Sequence, residues 1–170
     1  MTSLSMPAEI YSELMDHLSS DEVEHVAFLF TEPAVPGEPL RIREIYRVPA
    51  EGFDFQSAYH VALTDEVRGY VIKRAWDLDG CLIEVHSHGG GPPVWFSGSD
   101  LRGFEDWVPH VWWRLRRRTY VALVFAGSDF DALVWEGDGH APSTLGELAI
   151  DGHDAEKPSG ITYERLVRRA

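Results

Sequence analysis

Cys81-Leu82-Ile83-Glu84-Val85-His86-Ser87-His88 is the stretch that decides the architecture. It opens after a turn, Asp79-Gly80, and closes into a loop, Gly89-Gly90-Gly91-Pro92-Pro93. A short apolar run between two such breaks predicts a buried central strand over Cys81 to His86. Side chains two apart in a strand point to one face, so His86 and His88 aim two imidazoles at one point.

The flanking segments fill in a sheet with helices around it. Upstream, Thr64 caps a predicted helix to about Trp76, with Asp65 and Glu66 in its first turn and Lys73 and Arg74 in its last. Val67, Tyr70, Val71 and Arg74 share a face of that helix. Downstream, Ser99 to Trp107 predicts a helix interrupted by Pro109 and resumed to about Arg117. Tyr120 to Phe125 and Phe130 to Trp135 then flank Gly127-Ser128-Asp129, as strands of a hairpin do. Towards the N-terminus, Pro7 to Leu18 repeats apolar residues at helical spacing, and Val23 to Phe30 is a buried strand whose apolar run begins at Glu24. Glu32 to Pro39 is a proline-rich loop, Leu40 to Val48 an imperfectly alternating strand, and Pro49 to Phe55 irregular. The Gly- and Asp-rich tail from Gly137 to Gly160 predicts loop with a short structured piece, and Tyr163 to Arg169 a closing strand or helix. Helices interleaved with strands give an α/β or α+β class, a mixed β-sheet covered by helices.

Composition narrows the options. The 170 residues suit one domain, spanning residues 1–170, with its core over about 7–136 and a loop-rich tail over 137–170. With 28 acidic against 15 basic residues the formal charge is −13, which argues against nucleic acid as the main partner. The one basic run, Arg114 to Arg118, reads as a solvated helix end whose cations complement the dipole, or alternatively as a docking point for an acidic partner. Cys81 is the only cysteine, so no intrachain disulfide forms, and its apolar neighbours predict a buried, inert thiol. Without a signal peptide or a run of about 20 apolar residues, the expectation is a cytoplasmic protein with no membrane contact.

A chemical pattern sits on this frame. Ser97-Gly98-Ser99-Asp100 follows His88 after eight residues and makes a respectable helix start, with Ser97 as cap. Asp100 adds a hard oxygen to the two histidine nitrogens. Two nitrogens and one oxygen, with a fourth position open, is the composition of a catalytic zinc site. No His-Glu-x-x-His, Gly-x-Ser-x-Gly or Gly-Lys-Ser/Thr motif offers another hydrolytic centre.

Glu24, His86-Ser87-His88 and Ser97-Gly98-Ser99-Asp100, in that order, resemble the signature of the JAMM metalloproteases, the JAB/MPN domain, and in compactness their bacterial branch. The resemblance spans roughly residues 7 to 136, counting the first strand around Ala27 and the helix before the histidines. Two departures fall in the Gly-Pro loop: the spacer before Ser97 is one residue longer than the commoner one, and Gly89 stands where proline is frequent.

The resemblance implies a cytidine-deaminase-like layering and one Zn²⁺ per chain held by His86, His88 and Asp100. It also implies Glu24 as the acid–base residue, with Glu22 a close competitor, and the Ser97 hydroxyl as a donor to the oxyanion. His25 would be a neighbour, and His140 and His153 dispensable for metal. The substrate it implies is the amide after the C-terminal glycine of a ubiquitin-like protein. Either deconjugation or precursor processing would fit, in a bacterial conjugation or antiviral system with E1-like and E2-like proteins as possible partners. The alternative is a catalytically silent JAB/MPN scaffold that only binds partners.

Overall fold

The computed structural model describes residues 1–136 and 141–170. In chain order it contains β1 (Leu4–Met6), α1 (Ala8–Leu18), β2 (Val26–Thr31), β3 (Leu40–Arg47), β4 (Phe53–Gln56), β5 (Val61–Leu63) and α2 (Asp65–Asp77). Then follow β6 (Leu82–Ser87), α3 (Gly98–Arg114), β7 (Tyr120–Ala126), β8 (Asp129–Trp135), β9 (Leu148–Ile150) and α4 (Ile161–Val167). Seven strands form one mixed sheet in the order β8-β7-β6-β2-β3-β1-β9, and β4 and β5 form a separate hairpin. The strand carrying the histidines is central, parallel to β7 and antiparallel to β2. This is the α+β class that the interleaved pattern predicts.

Strand alternation divides the core in two. Val26, Phe28 and Phe30 of β2, Leu82 of β6 and Tyr120, Ala122 and Val124 of β7 face α2 and α3. Ala27 and Leu29, Ile83 and Val85, and Val121, Leu123 and Phe125 face α1. Both faces are covered, so the central strands carry apolar residues on both sides, with Glu84, His86 and Ser87 as the polar exceptions in β6. On α2 the buried residues are Val67, Val71, Ile72 and Ala75, and on α3 Phe104, Val108, Val111 and Trp112. The i, i+4, i+7, i+8 spacing on α3 is a single apolar stripe. Tyr70, expected on the buried face of α2, is instead half-exposed and tilts against Tyr46.

Several boundaries differ from expectation for physical reasons. β2 starts at Val26, two residues after Glu24, because the Glu24 amide donates to the Ser57 carbonyl (2.8 Å) and lies outside the main ladder. Pro109 does not interrupt α3. It sits on the exposed side, where the carbonyl one turn back that lacks its donor belongs to exposed Glu105. The helix ends at Arg114, short of Arg117. The segment after Pro49 is ordered into a 3₁₀ turn, Ala50–Gly52, and then the β4–β5 hairpin. Both chain ends enter the large sheet: β1 pairs parallel with β3 and β9, and Leu4, Met6, Leu148 and Ile150 are buried. The packed core therefore reaches beyond residues 7–136. Gly80 is fixed by close approach, since a Cβ there would lie 2.0 Å from the Thr31 carbonyl oxygen. That contact lets the Thr31 hydroxyl accept the Cys81 amide (2.9 Å) as β6 begins. Cys81 is buried, and burial pushes its thiol up. No described helix is long and apolar enough to cross a membrane.

Candidate metal centre

The end of β6 and the start of α3 meet at one point. His86 lies in β6 on the face towards α3. His88 follows just past the strand, its amide extending the ladder by donating to the Phe125 carbonyl (2.8 Å). Ser87, between them, turns to the other side, where its hydroxyl accepts the His25 amide (3.0 Å). The pleat thus separates two functions: the histidines converge while the serine clamps β6 to the chain entering β2.

Asp100 arrives by helix capping. The Ser97 hydroxyl accepts the Asp100 amide (3.1 Å), and the Asp100 carboxylate accepts the Ser97 amide through Oδ2 (2.7 Å). This reciprocal box closes the first turn of α3 with aspartate in the place more often taken by Glu or Gln. The same Oδ2 lies 3.2 Å from His88 Nε2 and 3.4 Å from His86 Nε2, and the two Nε2 atoms are 3.2 Å apart. The capping residue and the candidate ligand are one side chain.

His86, His88 and Asp100 each offer a ligand atom within 4.8 Å of the others. Burial by itself would raise the Asp100 carboxyl, but hydrogen bonds from His86 and His88 hold it far below the usual carboxylate range. For His86, burial opposes protonation, and the bond and charge of Asp100 outweigh it, so the imidazole is raised. The chemistry of this donor set fits a divalent cation: two borderline nitrogens, one hard oxygen, and no further described His, Cys or carboxylate in the group.

Glu24 closes the set from the other side, its Oε1 4.0 Å from His88 Nε2. It is buried, and burial raises its carboxyl above the ordinary range. Glu22 is exposed, and among the described residues it makes no ion pair with the histidines. Because Glu24 precedes β2, other groups must hold it. Gln56 at the end of β4 donates its amide to the Glu24 carbonyl (2.9 Å), and the Ser57 carbonyl accepts the Glu24 amide. Gln56 and the β4–β5 hairpin escaped the sequence reading. A four-residue strand with alternating Phe53 and Phe55 was the only signal available.

Glu24, His88 and Ser97 open onto a cleft of about 1110 Å³ that is also lined by Tyr59, Trp95 and Phe125. The tail buttresses its wall. Buried Asp131 accepts from the Gly160 amide and from the Thr162 amide and hydroxyl, and the Thr162 hydroxyl in turn accepts the Phe96 amide (2.9 Å). Arg165 of α4 stacks on Trp95 at 4.3 Å. The segment before Ser97 is thus set by residues more than sixty positions later. His153 stands apart, against Tyr11, and His140 lies outside the described residues.

No protein-family profile matches the chain, and no curated protein matches it. Solved structures do. The solution structure of protein DSY2949 from Desulfitobacterium hafniense is similar with a TM-score of 0.59 at 14% identity, over 90% of this chain and 94% of that one. A protein from Salinibacter ruber is similar with a TM-score of 0.50 at 18% identity, over 91% and 96%. At these identities the likeness carries the fold alone: the mixed sheet between helices is an architecture this chain has in common with both.

Proposed function

We propose that the chain is a zinc-dependent isopeptidase or peptidase of the JAMM type, cleaving the amide after the C-terminal glycine of a ubiquitin-like protein. The observation that carries this reading is the convergence of His86 Nε2, His88 Nε2 and Asp100 Oδ2, with the Glu24 carboxylate 4.0 Å from His88 and with Glu24, His88 and Ser97 lining a cleft. The ordered motif, Glu24, His86-x-His88 and Ser97-x-x-Asp100, supports the same reading.

His86, His88 and Asp100 would hold the metal. Zinc, when bound, supplies Lewis-acid activation of a water and of the scissile carbonyl. Glu24 takes the water's proton at its carboxylate as the oxygen bonds to the carbonyl carbon. It then returns that proton to the departing amine nitrogen as the C–N bond breaks. Burial raises its carboxyl above the ordinary carboxylate range, which makes it a stronger proton acceptor. Ser97 spends its oxygen lone pair on the Asp100 amide, which leaves its hydroxyl hydrogen for the oxyanion. The open cleft suits a slender, glycine-containing tail. We place this work in the cytoplasm, where a lone buried thiol and no disulfide are ordinary.

The test is incubation of the zinc-loaded protein with a ubiquitin-like protein joined by its C-terminal glycine to a lysine peptide, with and without chelator. Chelator-sensitive release of the peptide is expected, and Glu24→Gln should keep its zinc and lose release. Full zinc occupancy with no cleavage of any such fusion contradicts the substrate. Absence of zinc binding contradicts the enzyme and leaves the partner-binding scaffold.

A further inference from the structure

We propose that the outer face between α2 and α3, continued by the turn after α3, docks an acidic, apolar-containing peptide segment of a partner protein. The surface is separate from the metal centre and does not depend on it. It includes a groove of about 910 Å³ lined by Arg68, Gly69 and Trp76 of α2 and by Gly103, Trp107 and Arg114 of α3.

Two glycines open this groove. A Cβ at Gly69 or at Gly103 would meet nothing within 4 Å, so packing explains neither. Glycine inside a helix weakens it, and both helices carry one on the wall of the same groove. The space admits a chain lying close to the helix backbones.

At the end where the helices finish together, the surface turns cationic. Arg116 and Arg117 both adopt left-handed backbone, with φ of 54° and 63°, a strained conformation for residues with side chains. Their side chains do not serve the fold as their neighbours do. Arg118 is tied to Asp79 and to the Ala75 and Gly80 carbonyls, and Arg74 to Glu44. Among the described residues, Arg114, Arg116 and Arg117 have no carboxylate within 4.0 Å, in a chain with 28 acidic residues. Arg116 instead lies over Trp76 at 5.0 Å and Arg114 over Trp113 at 5.9 Å. Trp113 is 76% exposed and Trp76 42%. Asp65 and Asp106 also line the groove, but neither pairs with these three arginines.

Exposed tryptophans beside unneutralised guanidiniums are the composition of a protein interface. Charge complementarity selects carboxylates for the arginines, and the tryptophan faces and open groove select apolar side chains between them. Trp113 lies outside the groove, so the surface is longer than a pocket for one small molecule. The net charge of −13 repels the dense phosphates of nucleic acid everywhere outside this patch.

The experiment titrates a synthetic peptide of alternating Glu and Leu into the ¹⁵N-labelled full chain, with a Lys-Leu peptide as control. Saturable shifts of the Trp76 and Trp113 indole N–H signals are expected with the acidic peptide alone, weakening as salt rises. The folded double variant Arg116→Glu/Arg117→Glu should bind roughly tenfold more weakly or worse, and Gly69→Leu should also weaken binding. If the double variant does not fold, Arg117→Gln with a smaller loss serves the same end. Unchanged binding by the charge variants, or shifts at the cleft residues in place of the indoles, would overturn the proposal. So would equal indole shifts with a thymidine oligonucleotide. Concentration-dependent indole shifts with no peptide added would assign the face to a second copy of the chain and overturn it too.

Discussion

Two pairs of histidines in this protein have nearly the same ring geometry and different chemistry. The rings of His86 and His88 lie 5.0 Å apart at 59°, and those of His17 and His25 lie 5.1 Å apart at 60°. In the second pair the nitrogens are occupied by the fold. His17 Nε2 bonds the Val26 carbonyl oxygen (2.9 Å), and His25 Nε2 is engaged by Asp21 (2.7 Å) and Ser20 (3.1 Å). In the first pair both Nε2 atoms converge on one carboxylate oxygen of Asp100. Proximity of imidazoles is therefore not the metal signal. The signal is a third donor on the same side and nitrogens that nothing else has claimed.

The contrast breaks most sharply at the metal. Asp100→Ala and His88→Ala should lose zinc by more than the roughly 10–100-fold that an outer partner costs, while His17→Ala and His25→Ala should bind it as the wild type does. Competition with a coloured chelator measures all four. Zinc loss in the His25 variant would mean that the two pairs are coupled.

The next effect is on turnover. Glu24→Gln should retain zinc and lose roughly 10²–10⁴ in rate on a cleavable fusion, the range for a general acid–base residue. Glu22→Gln should stay active. The reverse result would place the base two residues earlier, in contradiction to the 4.0 Å approach of Glu24 to His88.

Smaller effects fall on the structural pair. Burial lowers the His17 imidazole below its ordinary value, so the folded state binds its proton less readily than the unfolded chain. The stability it supports is complete above about pH 6.5 and is lost as pH falls through and below that value. Urea midpoints at pH 7 and pH 5 should therefore fall less steeply in His17→Gln than in the wild type, and an identical fall would remove His17 from the account. Smallest of all, His153→Ala should change neither zinc content nor midpoint, because the ring only tilts against Tyr11 on the surface.

What the sequence made legible follows the length of its signals. The apolar run ending in His86 gives a central strand because six consecutive residues must be covered on both faces. Thr64 gives the start of α2 because its hydroxyl accepts the Val67 amide, a bond written in four residues. Ser97-x-x-Asp100 is legible twice, as a cap and as a candidate ligand, and the carboxylate oxygen that accepts the Ser97 amide is the one nearest His88. β1 and β9 are three residues each and pair only with distant partners, so no local period announces them. Gln56 holds the backbone of Glu24 from a hairpin that sequence-distant contacts stabilise. The role of Asp131 in setting the Ser97 segment depends on a tail that reads as loop. Local chemistry marks the candidate residues, and only the assembled sheet shows what holds them.

The central claim is that His86, His88 and Asp100, and not the other histidine pair, form a metal site. Anomalous diffraction at the zinc edge from crystals grown with one equivalent of zinc tests it directly. The account predicts one peak within bonding distance of His86 Nε2, His88 Nε2 and Asp100 Oδ2 and none beside His17 and His25. A peak at His17 and His25, or fully ordered His86, His88 and Asp100 with no peak between them, would contradict it.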